Sequence, residues 1–429
     1  LEDIMTNRMS PDSLYKLCLK ETAFHLHEKY WNKEIRNPFS QINCYIVNDL
    51  FQFLVIYTNI KKPSPLKLLL KSGQLQNLML DECDFTKIQW TSVMKILLEE
   101  GDSCRNITCI MMPKSFQNDE SATLERLIEK CPLLEILVVS TFFNPSVLQN
   151  CKRLQVVKNY FTGKKEYTYF WNEAADTLAN LQNLEKFDIF HYRHSSSYYT
   201  LIAKMLQNHP KLVSLGNTDS SWAAHHIYTT YRMKIVPQFG LKECFWGFNI
   251  NVGPNPKENR KEIPIAYIQQ FPEFVKSSVA LFPLVEKLCI VVYHEDCIQH
   301  LKKLKHLRVL EIDFNWCYGL SARTAFISLL SEIGPQLKQL VILGRISVPV
   351  DVVMKYCSNV VSLELRCSTN VQGGIETDSN NFRQLEKLSI RRVNEESLEY
   401  LLRNSLNLRV LFVLDALCLD DTLLHKILK

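Results

Sequence analysis

The stretch LRVLEI at residues 307–312 places apolar side chains at its first, fourth and sixth positions. The same spacing returns in LKQLVI at residues 337–342 and in LEKLSI at residues 385–390. Successive residues of a strand point to opposite faces, so this spacing predicts a short strand that is buried on one side. Further copies lie on both sides of these three along the chain.

Thirteen copies of the spacing are present, of which ten are regular and three are degenerate. Regular copies begin at Leu75, Ile107, Leu134, Leu184, Val285, Leu307, Leu337, Val360, Leu385 and Leu408, and degenerate ones at Leu154, Leu212 and Leu241. Their starts are roughly 20 to 44 residues apart, whereas leucine-rich repeats are usually about 20 to 29 residues long. Between the copies, apolar residues follow helical spacing, as in Leu124, Leu127 and Ile128.

Alternation of strand and helix over many copies predicts an α/β leucine-rich-repeat solenoid. We expect a horseshoe with parallel strands on its concave side and helices on its convex side, spanning residues 61–429. An insertion is expected at about residues 247–283, where Gly253-Pro254-Asn255-Pro256 marks a loop.

The residues between the buried strand positions are expected to point outward on the concave side of such a solenoid. Partner proteins bind on that side, so these residues are our predicted substrate-binding positions. They form an acidic strip that passes into a basic one, and they are Asp188, Phe190, Glu311, Asp313, Glu364, Arg366 and Arg391. The alternative interpretation is an ordinary solvated strand face.

The composition is that of a folded chain, with 46% apolar residues, 22% charged residues and a formal net charge of +5. No run of five Lys or Arg residues occurs, so nucleic-acid binding has no support. No apolar stretch reaches the roughly 18 residues of a membrane span. The 14 cysteines are scattered, which favours free thiols in the reducing cytoplasm or nucleus.

The sequence contains no Gly-x-Ser-x-Gly motif, no phosphate-binding Gly-x4-Gly-Lys motif and no dinucleotide-binding glycine motif. His294, Cys297 and His300 share a predicted helix. Zinc needs about four ligands, and this cluster lacks a second pair. We therefore predict that the chain is not an enzyme and needs no metal or cofactor.

Residues 1–60 differ in character from the repeats, since their apolar residues follow helical spacing. Ser10 or Asp12 is expected to cap a first helix, whose apolar residues include Leu14, Leu17, Cys18 and Phe24. A second helix follows Asn37-Pro38, and its apolar residues include Ile46, Val47, Leu50, Phe51 and Leu54. The sequence therefore predicts a separate helical module before the repeats.

Residues 13–19, SLYKLCL, resemble the elongin-binding box of substrate receptors for cullin ubiquitin ligases, which reads Ser or Thr, Leu, three residues and Cys. The resemblance implies that Leu14 and Cys18 enter an elongin groove, with Leu17 beside them. Residues 42–50 resemble the cullin-selecting box that follows in these receptors, with Ile42, Ile46 and Leu50 as its apolar positions. Asn43 stands where that box has Pro.

This module followed by irregular leucine-rich repeats resembles the Zyg/Zer family of substrate receptors. The resemblance implies elongin and cullin partners and an unknown protein substrate. An F-box protein that binds an F-box adaptor is the close rival, although only about 20 residues separate Leu54 from Leu75, which leaves no room for the remaining F-box helices. Three further alternatives are a helical cap on the first repeat, a repeat scaffold or inhibitor without a ligase link, and a hydrolase with its site on a loop.

Overall fold

The computed structural model describes residues 13–28, 36–58, 60, 62–99, 103–113, 116, 121–160, 178–189, 196–231, 238–247, 265–371, 382–391 and 393–415. The chain divides into two compact units, Leu1–Lys211 and Leu212–Lys429. The expected loop at residues 253–256 lies outside the described residues. The predicted boundary at residue 60 stays a prediction.

In the first unit, three helices precede the first strand, and strands and further helices follow. The helices are α1 (Leu14–His27), α2 (Cys44–Tyr57), α3 (Lys67–Leu70), α4 (Lys87–Glu99), α5 (Ser121–Glu129) and α6 (Ser196–Asn208). The strands are β1 (Asn77–Met79), β2 (Cys109–Met111), β3 (Ile136–Val139), β4 (Val156–Asn159) and β5 (Lys186–Ile189). All five strands pair in parallel and in chain order.

In the second unit, strands and helices alternate in the same way. The strands are β6 (Ser214–Asp219), β7 (Glu243–Trp246), β8 (Lys287–Val291), β9 (Val309–Phe314), β10 (Gln339–Pro349), β11 (Ser362–Asn370), β12 (Lys387–Arg391) and β13 (Val410–Leu414). The helices are α7 (Ser220–Tyr231), α8 (Ile265–Leu281), α9 (Asp296–Leu301), α10 (Leu320–Ile333), α11 (Val350–Tyr356) and α12 (Glu395–Arg403). These strands also pair in parallel and in chain order.

Each predicted copy of the spacing contains one of the 13 strands. The prediction of an α/β leucine-rich-repeat fold is therefore confirmed. From β8 to β12, the central Leu of each copy pairs in register with that of the next, and these five are buried, namely Leu288, Leu310, Leu340, Leu363 and Leu388. Leu411 of β13 continues the register but is exposed. The repeats thus share one continuous apolar row, which is how each copy buries the face it cannot bury alone.

Side-chain amides in the turns before the strands also join successive repeats. Asn183 Nδ2 donates to the Lys152 carbonyl at 3.0 Å, and Asn359 Nδ2 donates to the Pro335 carbonyl at 2.8 Å. Each carbonyl belongs to the preceding repeat. These bonds satisfy carbonyl groups that the short strands leave unpaired, and so they stabilise the stacking.

The N-terminal helices begin at side-chain caps. Ser13 is the N-cap of α1, and its Oγ accepts from the backbone N–H of Lys16 at 3.3 Å, so the predicted caps at Ser10 or Asp12 are wrong. Asn43 is the N-cap of α2 and accepts from the backbone N–H of Tyr45 at 2.9 Å. The Asn that replaces the expected Pro therefore starts the helix by capping it.

Helix α2 also completes the first strand. At the start of β2, the N–H groups of Thr108 and Cys109 both donate to the carbonyl of Gln76, the residue before β1. The corresponding N–H groups of Gln76 and Asn77 both donate to Asn48 Oδ1, at 3.0 and 2.9 Å. Asn48 thus takes the place of the carbonyl that a preceding repeat supplies elsewhere.

Two aspartates predicted to face solvent are buried instead. Asp188 and Asp313 are each 5% exposed, so their prediction as outward-facing residues is wrong. Asp313 Oδ1 accepts from the backbone N–H of Asn315 at 2.8 Å, so the side chain folds back onto the turn that leaves β9. Asp188 pairs in register with Lys158 on β4 at the same end of its strand.

The three kinds of position on β9 should respond differently to truncation. Leu310→Ala should cost about 2 to 5 kcal/mol of unfolding free energy by leaving a core cavity. Glu311 is half-buried, so Glu311→Ala should change it less than Leu310→Ala does, by about 1 kcal/mol or less. Asp313→Ala should cost about 1 to 3 kcal/mol, because the N–H of Asn315 loses its acceptor. Urea unfolding measures all three, and equal effects at Glu311 and Asp313 would contradict this assignment.

The acceptor role of Asn48 can be tested with a matched pair of variants. Asn48→Ala should lower the unfolding free energy by about 1 to 3 kcal/mol for each donor left without a partner. Asn48→Asp keeps the acceptor at Oδ1 and loses only the bond from Nδ2 to the Cys44 carbonyl, so it should cost less than Asn48→Ala. Thermal and urea unfolding of both proteins decide the point, and a variant with Ala as stable as one with Asp would show that these bonds contribute nothing.

Candidate protein-binding surfaces

Helix α1 has apolar residues on two opposite faces. Leu19, Ala23 and Leu26 are buried in the module. Leu14, Leu17 and Phe24 are 77%, 53% and 58% exposed, and Cys18 is exposed beside them. We call these last four residues the outer face of α1. Their spacing of three and four residues places Leu14, Leu17 and Cys18 on one stripe of the helix.

Only some of the adaptor-binding residues predicted at helix α2 are exposed. Tyr45 and Ile46 are exposed, and Ile42, just before the helix, is half-buried. Leu50 is 1% exposed, so its prediction as an adaptor contact is wrong. Leu50 lies on the side of α2 that is buried together with Val47.

The two helices are joined by a polar contact as well as by packing. Tyr15 Oη donates to Asp49 Oδ2 at 2.7 Å. This bond links the start of α1 to the middle of α2, so the outer face of α1 rests on a supporting helix rather than on a free segment.

The predicted charged strip in the second unit is interrupted. Register places Val341 of β10 between Glu311 of β9 and Glu364 of β11. The Arg366 guanidinium contacts the Glu364 carboxylate, so these opposite charges pair within one strand. Glu311 and Glu364 are therefore separated by an apolar residue, and a continuous acidic strip does not form.

The remaining predicted strip residues are placed apart from this group. Arg391 Nε pairs with Asp415 Oδ2 at 2.8 Å at the end of β12. Asp188 lies in the first unit, and Phe190 lies outside the described residues. Of the strip residues in the second unit, Glu364 and Arg366 thus contact each other, and Arg391 pairs with a residue outside the predicted set.

Sequence reasoning missed a groove on the first unit. It has a volume of about 540 Å³, and its lining residues are Asp81, Glu82, Cys83, Asp84, Met111, Met112, Pro113, Val138, Ser140, Lys158 and Tyr160. We call it the β1–β4 groove, because it crosses the ends of those four strands. The signal in the sequence is the run DECD at residues 81–84, shortly after the first strand.

Burial in the fold shifts the pKa of several ionisable side chains. Burial raises the pKa of Asp219, whose carboxylate accepts from Tyr267 Oη at 2.6 Å and from the backbone N–H and Oγ of Ser221 at 2.9 and 2.6 Å. Burial likewise raises the pKa of the Cys357 and Cys367 thiols to about 12. These thiols are protonated at neutral pH, and the carboxylate of Asp219 is occupied by internal donors.

The described residues contain no group of three or more His, Cys, Asp and Glu side chains that could hold a metal ion. Of the predicted helical cluster, Cys297 is buried, whereas His294 is exposed and pairs with Asp296. Burial lowers the pKa of His300. A search for membrane-crossing helices in the described part of the chain finds none that is long and apolar enough.

No protein-family model matches this sequence, and no curated protein matches it. Among solved structures, the chain is similar to one from the Rad7 and Elc1 complex in yeast, with 15% identity and a TM-score of 0.44 over 97% of this chain and 90% of that chain. It is also similar to internalin C2 from Listeria monocytogenes, with 14% identity and a TM-score of 0.28 over 63% and 83% of the two chains.

A third similar structure is the leucine-rich-repeat-containing protein LegL7 from Legionella pneumophila. Its identity to this chain is 9% and its TM-score is 0.33, over 72% of this chain and 83% of that chain. At such identities and TM-scores, no function can be carried from these proteins to this one. The chain is a leucine-rich-repeat protein by its own strand order and buried rows.

Proposed function

We propose that this chain is a non-catalytic protein-binding receptor that serves as the substrate-recognition subunit of a cullin-type ubiquitin ligase. In this proposal the outer face of α1 binds elongin, and the start of α2 contributes to the choice of cullin. The leucine-rich repeats bind the substrate protein. The box-like sequence at residues 13–19 supports the elongin assignment by its resemblance to that motif.

The observation that carries the proposal is the exposure of the outer face of α1. Large apolar side chains on a helix with a second, buried apolar face mark a site for another protein. Anchors spaced by three and four residues are the pattern by which a helix enters an apolar groove. Burial of each Leu side chain contributes roughly 1.5 to 3 kcal/mol to such an association.

The mechanism requires no reacting group from this chain. A receptor that holds a substrate near a ligase scaffold raises the effective concentration of the substrate at the transfer site. The repeats suit this role, because their stacked strands present an extended surface. The N-terminal module has two compatible roles, since α2 completes the first strand and α1 leaves its outer face for a partner.

The elongin assignment predicts a specific loss of binding. Leu14→Ala/Leu17→Ala should weaken the complex with purified elongin by about tenfold or more, because anchor residues carry most of the energy of such interfaces. Its unfolding free energy should change by about 1 kcal/mol or less in total, as exposed substitutions do. Isothermal titration calorimetry and urea unfolding of the whole chain measure both quantities.

Ile88→Ala is the matched control for this experiment. Ile88 is 84% exposed on α4, outside the N-terminal module, so its truncation should leave elongin binding unchanged. A double variant that binds elongin as tightly as the unaltered chain would remove the outer face from the proposal. A chain that binds an F-box adaptor in place of elongin would favour the F-box alternative, and one that binds neither would favour a scaffold or inhibitor.

A further inference from the structure

The β1–β4 groove has an acidic end. Asp81, Glu82 and Asp84 follow β1 directly and are exposed. Within the described part of the chain, their carboxylates have no ion-pair or hydrogen-bond partner. Exposed charges that the protein leaves unpaired along one rim attract a ligand group of opposite charge.

The opposite end of the groove carries an ammonium group and a hydroxyl group. Lys158 of β4 and the hydroxyl of Tyr160 line it, and the ammonium of Lys158 has no ion-pair partner among the described residues. Burial and the nearby Asp188 carboxylate raise the pKa of Tyr160, so its hydroxyl is a neutral hydrogen-bond donor. The Lys158 ammonium and the Tyr160 hydroxyl are the groups here that can bind a carboxylate, and the Asp188 carboxylate lies beside them on the next strand.

The floor between the two ends is apolar. Met111 of β2 and Val138 of β3 pair in register, and both are half-buried. Register continues from Val138 to Lys158 on β4. A flexible Met beside a branched side chain forms an adaptable surface for an apolar ligand group.

The spacing of the strands sets the length of a ligand that reaches both ends. Neighbouring strands lie about 4.8 Å apart, so β1 and β4 are separated by roughly 14 Å. An extended peptide advances about 3.3 Å per residue, so about four residues span this distance. The groove volume of about 540 Å³ lies in the range of small-ligand and peptide-anchor pockets, which is roughly 300 to 1,000 Å³.

We propose that the β1–β4 groove binds an extended segment of a partner protein that carries Arg or Lys, an apolar residue two positions away and an acidic residue four positions away. The basic side chain lies against Asp81, Glu82 and Asp84, the apolar one lies on Met111 and Val138, and the acidic one meets the far end. This inference rests on the proposed function only in that the repeats bind a protein, and it does not depend on a ligase.

The test uses the whole chain and a fluorescein-labelled peptide, Thr-Arg-Thr-Leu-Thr-Glu-Thr, whose Thr residues favour an extended conformation. Fluorescence anisotropy should show binding that weakens as salt concentration rises. Asp81→Asn/Asp84→Asn should weaken it about tenfold. Replacing the peptide Arg by Gln should weaken binding to the unaltered chain and cause little further loss with the variant, since the two changes remove one interaction.

Glu99→Gln/Glu129→Gln is the matched control, because it removes two exposed carboxylates from helices of the same unit. It should bind the peptide as the unaltered chain does, and Leu14→Ala/Leu17→Ala should do so as well. The second comparison separates this inference from the elongin proposal. All variants should melt at the temperature of the unaltered chain. Absence of peptide binding at millimolar concentration, equal binding by the Asp81→Asn/Asp84→Asn variant, or an equal loss in the control would overturn the inference.

Discussion

The structure depends on the in-register stacking of one buried side chain per strand. Leu310 is fully buried, because Leu288 and Leu340 pair with it on either side. Leu288 and Leu340 are buried by their own neighbours in the same way. A leucine-rich repeat has no core of its own, so the free energy of each copy is shared with the copies beside it. At the first copy, the amide oxygen of Asn48 accepts the two N–H groups that a carbonyl of the preceding copy accepts at β2.

The same register decides which outward side chains become neighbours. Glu311 and Glu364 lie two strands apart, with Val341 between them, so their charges do not add to one surface. In the first unit, register instead continues an apolar floor from Met111 to Val138 and then to Lys158. A binding surface on a parallel sheet is therefore composed across the strands, and a run of adjacent residues such as Asp81–Asp84 forms only one end of it.

The proposed function follows from surfaces that the fold leaves uncovered. Helix α1 buries Leu19 and exposes Leu14 and Leu17, and the energy available from covering the outer face is that of ordinary apolar burial. The β1–β4 groove offers charge complementarity, which gives specificity more than affinity. In the two proposals, α1 binds the ligase scaffold and the groove binds a segment of a partner protein.

From the sequence alone, the thirteen strands, the buried positions of the central strands and the two N-terminal helices were predictable, because periods of 2 and 3.6 residues are local properties of the chain. The burial of Asp313, Asp188 and Leu50 and the composition of the β1–β4 groove were not. Asp313 is buried by the turn that follows its strand, and Lys158 reaches the groove of Asp81 through strands that are far apart in sequence. These properties depend on which distant residues the stacking brings together, and only the tertiary structure decides that.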